Sequence, residues 1–190
     1  HSFGGGPALE LALAHPERVQ RLILVDAALG WDAEPKPHSP VCRVLATSMP
    51  RRVLLSATAT NPLWSKTLLR SFVAHKEAVT NERLAYYRQP SELRGATDAL
   101  GAWSHHFICE DERGVSTDPA RISRLQVPMT LLWGADDTIT PLDQAHRLRK
   151  LVPQSRLQVI PGVGHIPHIE APEAFERTLL NALQVTDSSV

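Results

Sequence analysis

The chain has 190 residues, 43% of them hydrophobic and 21% charged, with 20 basic side chains set against 20 acidic ones. That is the composition of an ordinary globular domain. No block of five or more like charges supplies the footprint of a nucleic-acid or anionic-membrane binder, and no apolar run approaches the ~18 residues of a membrane span, so both partner classes are excluded and a small, weakly charged partner is expected.

In chain order, "HSFGGGPALELALAHPERV" opens with a serine in a Gly-rich turn and continues as a buried helix through Leu9, Leu11, Ala12 and Leu13, which Pro16 stops. The apolar run Leu22 to Val25 predicts a parallel strand covered on both faces. From about residue 30 to 115 the pattern turns helical without an obvious strand, including "PLWSKTLLRSFVAHKEAV" and "TNERLAYYRQP". In the first of these Leu63, Leu68, Leu69, Phe72 and Val73 recur near helical spacing. Thr80 is placed to cap the second. Strand and helix then alternate: "VPMTLLWG", a helix near Asp143 to Leu151, "RLQVI", and a last helix from about Pro172 to Leu183. These βα units predict a parallel sheet wrapped by helices, interrupted by a helical insertion.

Cys42 and Cys109 stand far apart in no C-x-x-C arrangement, which points to neither a zinc site nor a disulfide framework. With no signal-peptide pattern in the opening residues, the expectation is a reducing, cytoplasmic compartment.

Three polar residues follow predicted strands or turns in an order that carries chemistry. Ser2 lies in "HSFGG", which contains the x-S-x-G part of a G-x-S-x-G nucleophile elbow. Asp137 lies in "LLWGADDTITP" at the carboxyl edge of a strand, and His165 in "VIPGVGHIPHIEAPEAF" after the last strand. Each has about even odds of a structural role, as a cap, a turn or packing. Together, the order Ser, Asp, His is that of an α/β-hydrolase triad.

The chain therefore resembles the C-terminal part of an α/β-hydrolase fold enzyme. The acid motif of that family, G-x-x-D-x-x-x-P, is matched by Gly134, Asp137 and Pro141. The more specific base motif, G-H-x-P-x-x-E-x-P, is matched by Gly164, His165, Pro167, Glu170 and Pro172. The resemblance implies an α/β fold with a mostly parallel sheet, lacking its N-terminal strands, with residues 1–29 and 116–190 forming the core and 30–115 a helical cap. It implies Ser2 as nucleophile, His165 as base, Asp137 as the acid, and the backbone N–H of Phe3 as one oxyanion donor. Trp103, Phe107 and Ile166 are candidate pocket residues, beside Trp64, Tyr86 and Tyr87, although aromatics at helical spacing more often belong to a core. No cofactor and no metal are implied. His105, His106 and His168 have no carboxylate or thiol at ligand spacing.

Two rival acids are weighed against Asp137. Asp136 reads as a turn residue, and Asp26, just past the first strand, occupies the alternative acid position of some members of the fold. The expected activity is cleavage of a small carboxylic ester through an acyl-serine. A serine at position 2 argues against the dehalogenases and epoxide hydrolases of the fold. Carbon-carbon hydrolases of ring-cleavage products are the nearest rival, disfavoured mildly because they often carry an aromatic residue where Ile166 stands. Amide cleavage, as in aminopeptidases of the fold, is a further alternative. The chain is expected to start inside its elbow, truncated at its N-terminus, leaving "RLILV" as an open edge. Its expected partners are then the small ester and either the missing N-terminal half or a second copy of itself. The reading from another class is an inactive fragment or half-molecule.

Overall fold

The computed structural model describes residues 1–29, 39–109 and 114–184. Three strands form one sheet in the order β1 (Leu22–Val25), β2 (Met129–Gly134), β3 (Arg156–Ile160), all parallel. Leu22 pairs with Met129 and Thr130 with Arg156, so the carboxyl ends of the three strands lie along one edge. Among the described residues no strand pairs with the other side of β1.

The helices are α1 (Gly5–Ala14), α2 (Pro40–Leu45), α3 (Ser48–Ala57), α4 (Ser65–Ser71), α5 (Asn81–Glu92), α6 (Ala96–Cys109), α7 (Pro119–Ile122), α8 (Leu142–Leu151), α9 (Pro167–Glu170) and α10 (Pro172–Gln184). They belong to two compact units. The first holds residues 1–29, 72–78 and 114–184 and contains the sheet; the second holds 39–71 and 79–109 and is helical.

In the first unit the alternation of side chains along β1 explains its uniformly apolar sequence. Leu24 faces α1, where a Cβ on Gly5 would collide with the Ala27 side chain and touch Leu24. Ile23 and Val25 face the other way, onto Phe175, Leu179 and Ala182 of α10 together with Leu132 of β2. Both faces are thus covered, as a parallel sheet requires, and every residue of β2 is buried. Arg21, directly before β1, donates its guanidinium N–H groups to the carbonyls of Ala182 and Leu183, satisfying the C-terminal end of α10. Glu10 of α1 accepts the Ser116 N–H at 2.7 Å, tying α1 to the turn that leads into α7.

The second unit departs from two expectations. Cys42 and Cys109 form a disulfide, with their Cα atoms 5.6 Å apart, whereas the spacing suggested unpaired thiols. The reason is tertiary. Cys42 on α2 and Cys109 at the end of α6 share a buried cluster with Leu45, a proximity that a separation of 67 residues does not signal. The helix expected across "PLWSKTLLRSFVAHKEAV" also stops at Ser71, because the next seven residues, Phe72–Ala78, give their backbone groups to the first unit instead. Thr80 caps α5 as its spacing suggests, its hydroxyl accepting the Arg83 N–H. Among the described residues, no helix is long and apolar enough to cross a membrane.

Candidate active site

Ser2 opens a single 3-10 turn, Ser2–Gly4, that runs directly into α1. Its φ of 50° lies in the left-handed region, where a non-glycine residue is strained by roughly 1–3 kcal/mol. The conformation is held from both sides: the Ser2 carbonyl accepts the Ala28 N–H at 2.9 Å, and the His1 carbonyl accepts the Gly4 N–H at 3.0 Å. A strained serine on a sharp turn at a helix N-terminus presents its hydroxyl outward and its following backbone toward the same space. Phe3, the next residue, is 40% exposed.

Asp137 sits in the loop after β2. Trp133 anchors that loop by donating Nε1–H to the Thr140 carbonyl at 2.7 Å, and the Ala135 and Asp136 N–H groups are taken by Ile160 and Val163 carbonyls. Gly134 is required at the strand end, since a Cβ there would run into the carbonyl oxygens of Val163 and Gly164. Asp137 then folds back on its own loop: Oδ1 accepts the N–H groups of Ile139 (2.8 Å) and Thr140 (3.0 Å), a local turn typical of aspartate. That leaves Oδ2 for other donors. The Thr140 hydroxyl reaches it at 2.6 Å and the His165 ring at 2.8 Å. Burial pushes the Asp137 carboxyl up, but the hydrogen bonds from His165 and Thr140 and the imidazole charge outweigh it, and its pKa lies below the ordinary value.

His165 lies in the loop between β3 and α9, buried at 3% exposure. Three contacts fix its backbone. Its N–H donates to the Phe72 carbonyl at 2.9 Å, its carbonyl accepts Nε2–H of His1 at 2.7 Å, and Glu170 gathers the flanking amides. One Glu170 oxygen accepts from Gly164 (3.0 Å) and Ile166 (3.4 Å), the other from Ala74 (2.7 Å) and His75 (3.1 Å). Four amides on one carboxylate bind the Phe72–Ala78 segment to the histidine loop, which is why α4 ends where it does. Nδ1 faces the Asp137 carboxylate, so the proton belongs there and Nε2 is left as an acceptor. Nε2 stands 2.9 Å from Ser2 Oγ.

The result is a continuous chain from hydroxyl to imidazole to carboxylate, assembled from residues 2, 165 and 137. Chemically it can withdraw the serine proton as the oxygen attacks and hold the resulting imidazolium against a buried anion.

Asp26 stands behind this chain. It is fully buried, adopts a φ of 42°, and its Oδ1 accepts the Gly134 N–H at 2.8 Å. His165 Nδ1 meets Asp137 and the Thr140 hydroxyl, and Asp26 is not among its partners. Asp136 is exposed, its backbone committed to a turn. Trp103 and Phe107 stack on α6 with ring centroids 5.1 Å apart and belong to the second unit, while Ile166 is buried in the first, next to His165. Trp64 lines an apolar hollow of about 520 Å³ within the second unit, together with Thr67 and Leu68. No group of three or more His, Cys, Asp or Glu able to hold a metal occurs among the described residues.

Three contributors escape a reading of the sequence. Thr140 signals itself only by lying three residues after Asp137; Glu170 is visible as a motif position without a role; Phe72 acts through its carbonyl, which no side-chain pattern reveals.

Residues 1–172 match the model of the α/β-hydrolase fold, and the chain belongs to that family. It is 30% identical over 184 residues to a protein of Pseudomonas savastanoi pv. phaseolicola that carries a carbamate-hydrolase name, covering 96% of this chain and 65% of that protein. It is also 30% identical over 192 residues to a 2-hydroxymuconate semialdehyde hydrolase of Pseudomonas putida, covering 99% of this chain and 62% of that protein. Among solved structures, a meta-cleavage product hydrolase from Pseudomonas fluorescens superposes with a TM-score of 0.71 at 22% identity, over 96% of this chain and 62% of that one. The chain thus spans 62–65% of the length of these curated relatives.

Proposed function

We propose that the chain carries the catalytic half of a serine hydrolase that cleaves a small, uncharged carbonyl substrate, a carboxylic ester in the first reading, through an acyl-Ser2 intermediate. The observation that carries the reading is the pair of contacts on His165: Nε2 at 2.9 Å from Ser2 Oγ and Nδ1 at 2.8 Å from Asp137 Oδ2.

In the proposed mechanism Ser2 Oγ attacks the carbonyl carbon as His165 Nε2 takes its proton. Asp137 keeps the ring in the tautomer that leaves Nε2 basic and stabilises the imidazolium that forms. Negative charge develops on the substrate oxygen beside the start of α1. There the Phe3 N–H and the positive end of the helix favour it. Collapse of the tetrahedral intermediate returns the proton from His165 to the leaving group, and water repeats the sequence in reverse to free Ser2.

The second oxyanion donor and a strand beside β1 are proposed to come from the remaining part of the fold that the relatives possess. The second unit is proposed as the cap, with Trp103, Phe107 and Ile166 as pocket residues. The cytoplasmic expectation rested on unpaired thiols and on the absence of a signal-peptide pattern. The Cys42–Cys109 disulfide removes the first of these supports and favours an oxidising compartment.

Carbon-carbon bond hydrolysis is the second reading, favoured by the 30% identity to the 2-hydroxymuconate semialdehyde hydrolase along 99% of the chain. Steady-state assays of the full-length protein on a short-chain aryl ester and on a ring-cleavage dienoate separate the two. Turnover of the ester that disappears in Ser2→Ala supports the first reading. Preference for the dienoate by orders of magnitude supports the second, and Ser2-independent turnover of both overturns the serine mechanism.

A further inference from the structure

Asp26 is a buried carboxyl that, on the serine-hydrolase reading above, still lacks a role. Its position is over-determined. The Asp26 N–H donates to the Leu132 carbonyl at 3.0 Å, its own carbonyl is within 3.1 Å of the Thr140 hydroxyl, and Oδ1 holds the Gly134 N–H at 2.8 Å. These contacts keep a non-glycine residue in the left-handed region at the end of β1. Yet Oδ2, equally buried, meets no donor. The charged groups that bear on it are both anionic, Asp137 foremost and Glu170 more weakly, and the Thr140 hydroxyl, 3.1 Å from the Asp26 carbonyl and 2.6 Å from Asp137 Oδ2, sets the two aspartates side by side. Two adjacent buried carboxylates cannot both ionise cheaply. Asp137 receives hydrogen bonds from Ile139, Thr140 and His165, whereas Asp26 receives one from Gly134, so the proton belongs on Asp26.

We propose that Asp26 is a neutral carboxylic acid whose Oδ2–H donates to the Asp137 carboxylate, making it a positioning residue that extends the chain Ser2–His165–Asp137 by one link. Burial, followed by the repulsion and hydrogen bonding of Asp137, pushes its pKa up to about 8 despite the Gly134 amide. A neutral donor at this place has two effects. It orients Asp137 Oδ2 toward His165, and it spreads the carboxylate charge without cancelling it. Above its pKa the lost proton leaves two facing anions, and the imidazolium is then held too firmly to return its proton.

Asparagine fits the same hole: its carbonyl can accept from Gly134 and its amide can donate to Asp137. The test is an isotope-edited infrared difference spectrum of the full-length protein with labelled aspartate, wild type minus Asp26→Asn, joined to pH–rate profiles of wild type, Asp26→Asn and Asp26→Ala. The expected result is a protonated-carboxyl band at neutral pH that is missing from Asp26→Asn and vanishes as pH rises through about 8. The rate should show a matching alkaline fall in wild type that Asp26→Asn lacks. Asp26→Ala should lose turnover, and Asp26→Asn should recover most of it. Absence of the band in a Ser2-dependent enzyme overturns this proposal alone, and equal turnover in the Asn and Ala variants overturns the positioning role. A band present in a protein whose Ser2→Ala variant is fully active overturns the triad reading on which it rests.

Discussion

A buried imidazole between a hydroxyl and a carboxylate works as a base only if its tautomer is fixed, and at the residue scale both oxygens of Asp137 are placed for that task. Oδ1 is consumed by its own turn and Oδ2 is aimed at His165. Asp137→Asn keeps the shape but offers an amide where an acceptor is needed, so the proton moves to Nε2 and the serine loses its base. The expected loss in kcat is about 10⁴-fold, read by steady-state kinetics of the full-length protein. A loss of less than tenfold would remove Asp137 from the role. The two carboxyls also set the pH dependence of stability, with opposite signs. Asp26 keeps its proton to about pH 8 when folded but sheds it near the ordinary 3.8 when unfolded, so between these values the unfolded chain holds fewer protons and stability falls as pH rises. Asp137, lowered in the fold, contributes stability that is complete above the ordinary carboxylate value and is lost as pH falls through its folded value. Thermal unfolding followed from mildly acid to mildly alkaline pH should show wild type losing ground to Asp26→Asn until about pH 8. Parallel curves would mean that Asp26 is ionised in the fold.

At the scale of elements, the histidine loop depends on a carboxylate committed to backbone amides. Glu170 draws four backbone amides from two separate segments. In Glu170→Gln one of its oxygens becomes a donor pointed at two donors, and with charge-assisted bonds worth ~1.5–3 kcal/mol each the variant should unfold at a temperature lower by roughly 6–24 °C. Its kcat should fall more than its KM rises, because the base moves while the pocket stays. Differential scanning calorimetry beside kinetics checks both, and an unchanged melting temperature would show that the amides find other partners. The Cys42–Cys109 disulfide works in the helical unit in another way, by limiting the unfolded chain. A loop of 67 residues corresponds to about 4 kcal/mol in the chain-entropy model. The double variant Cys42→Ala/Cys109→Ala should lose a similar amount in denaturant unfolding; equal midpoints would indicate that packing around Leu45 suffices.

The strands, α1, α8 and α10 were readable because each is a periodic or apolar run, most of them with Pro or Gly at one end, and these patterns record the burial that forms the element. Ser2, Asp137 and His165 stood out because each is a polar side chain beside glycine in a turn or in a loop after a strand, a placement the sequence itself records. What escaped was held by backbone or by distance: the Phe72 carbonyl, the four amides on Glu170, and the pairing of Cys42 with Cys109 across 67 residues. The break of the helix at Ser71 belongs to the same class, since the local periodicity of Leu68, Leu69, Phe72 and Val73 continues past the point where tertiary hydrogen bonds take over the backbone.

For the molecule as a whole, β1 pairs on one side only among the described residues, while the relatives are longer than this chain, which covers 62–65% of them. An unpaired, apolar strand edge recruits other chains. Expressed as these 190 residues alone, the protein is therefore expected to self-associate in size-exclusion chromatography and to hydrolyse esters poorly. Co-expression with the rest of the fold should restore a discrete species and its turnover. A discrete monomer with ordinary esterase turnover on its own would show that β1 needs no neighbour.

The central claim is that Ser2 is the nucleophile, and it is tested most directly by treating the full-length protein with a fluorophosphonate and locating the adduct by tandem mass spectrometry. The expected result is one stoichiometric adduct on Ser2 Oγ, abolished in Ser2→Ala and slowed greatly in His165→Ala. Labelling that persists in Ser2→Ala, or that falls on a different residue, would contradict it.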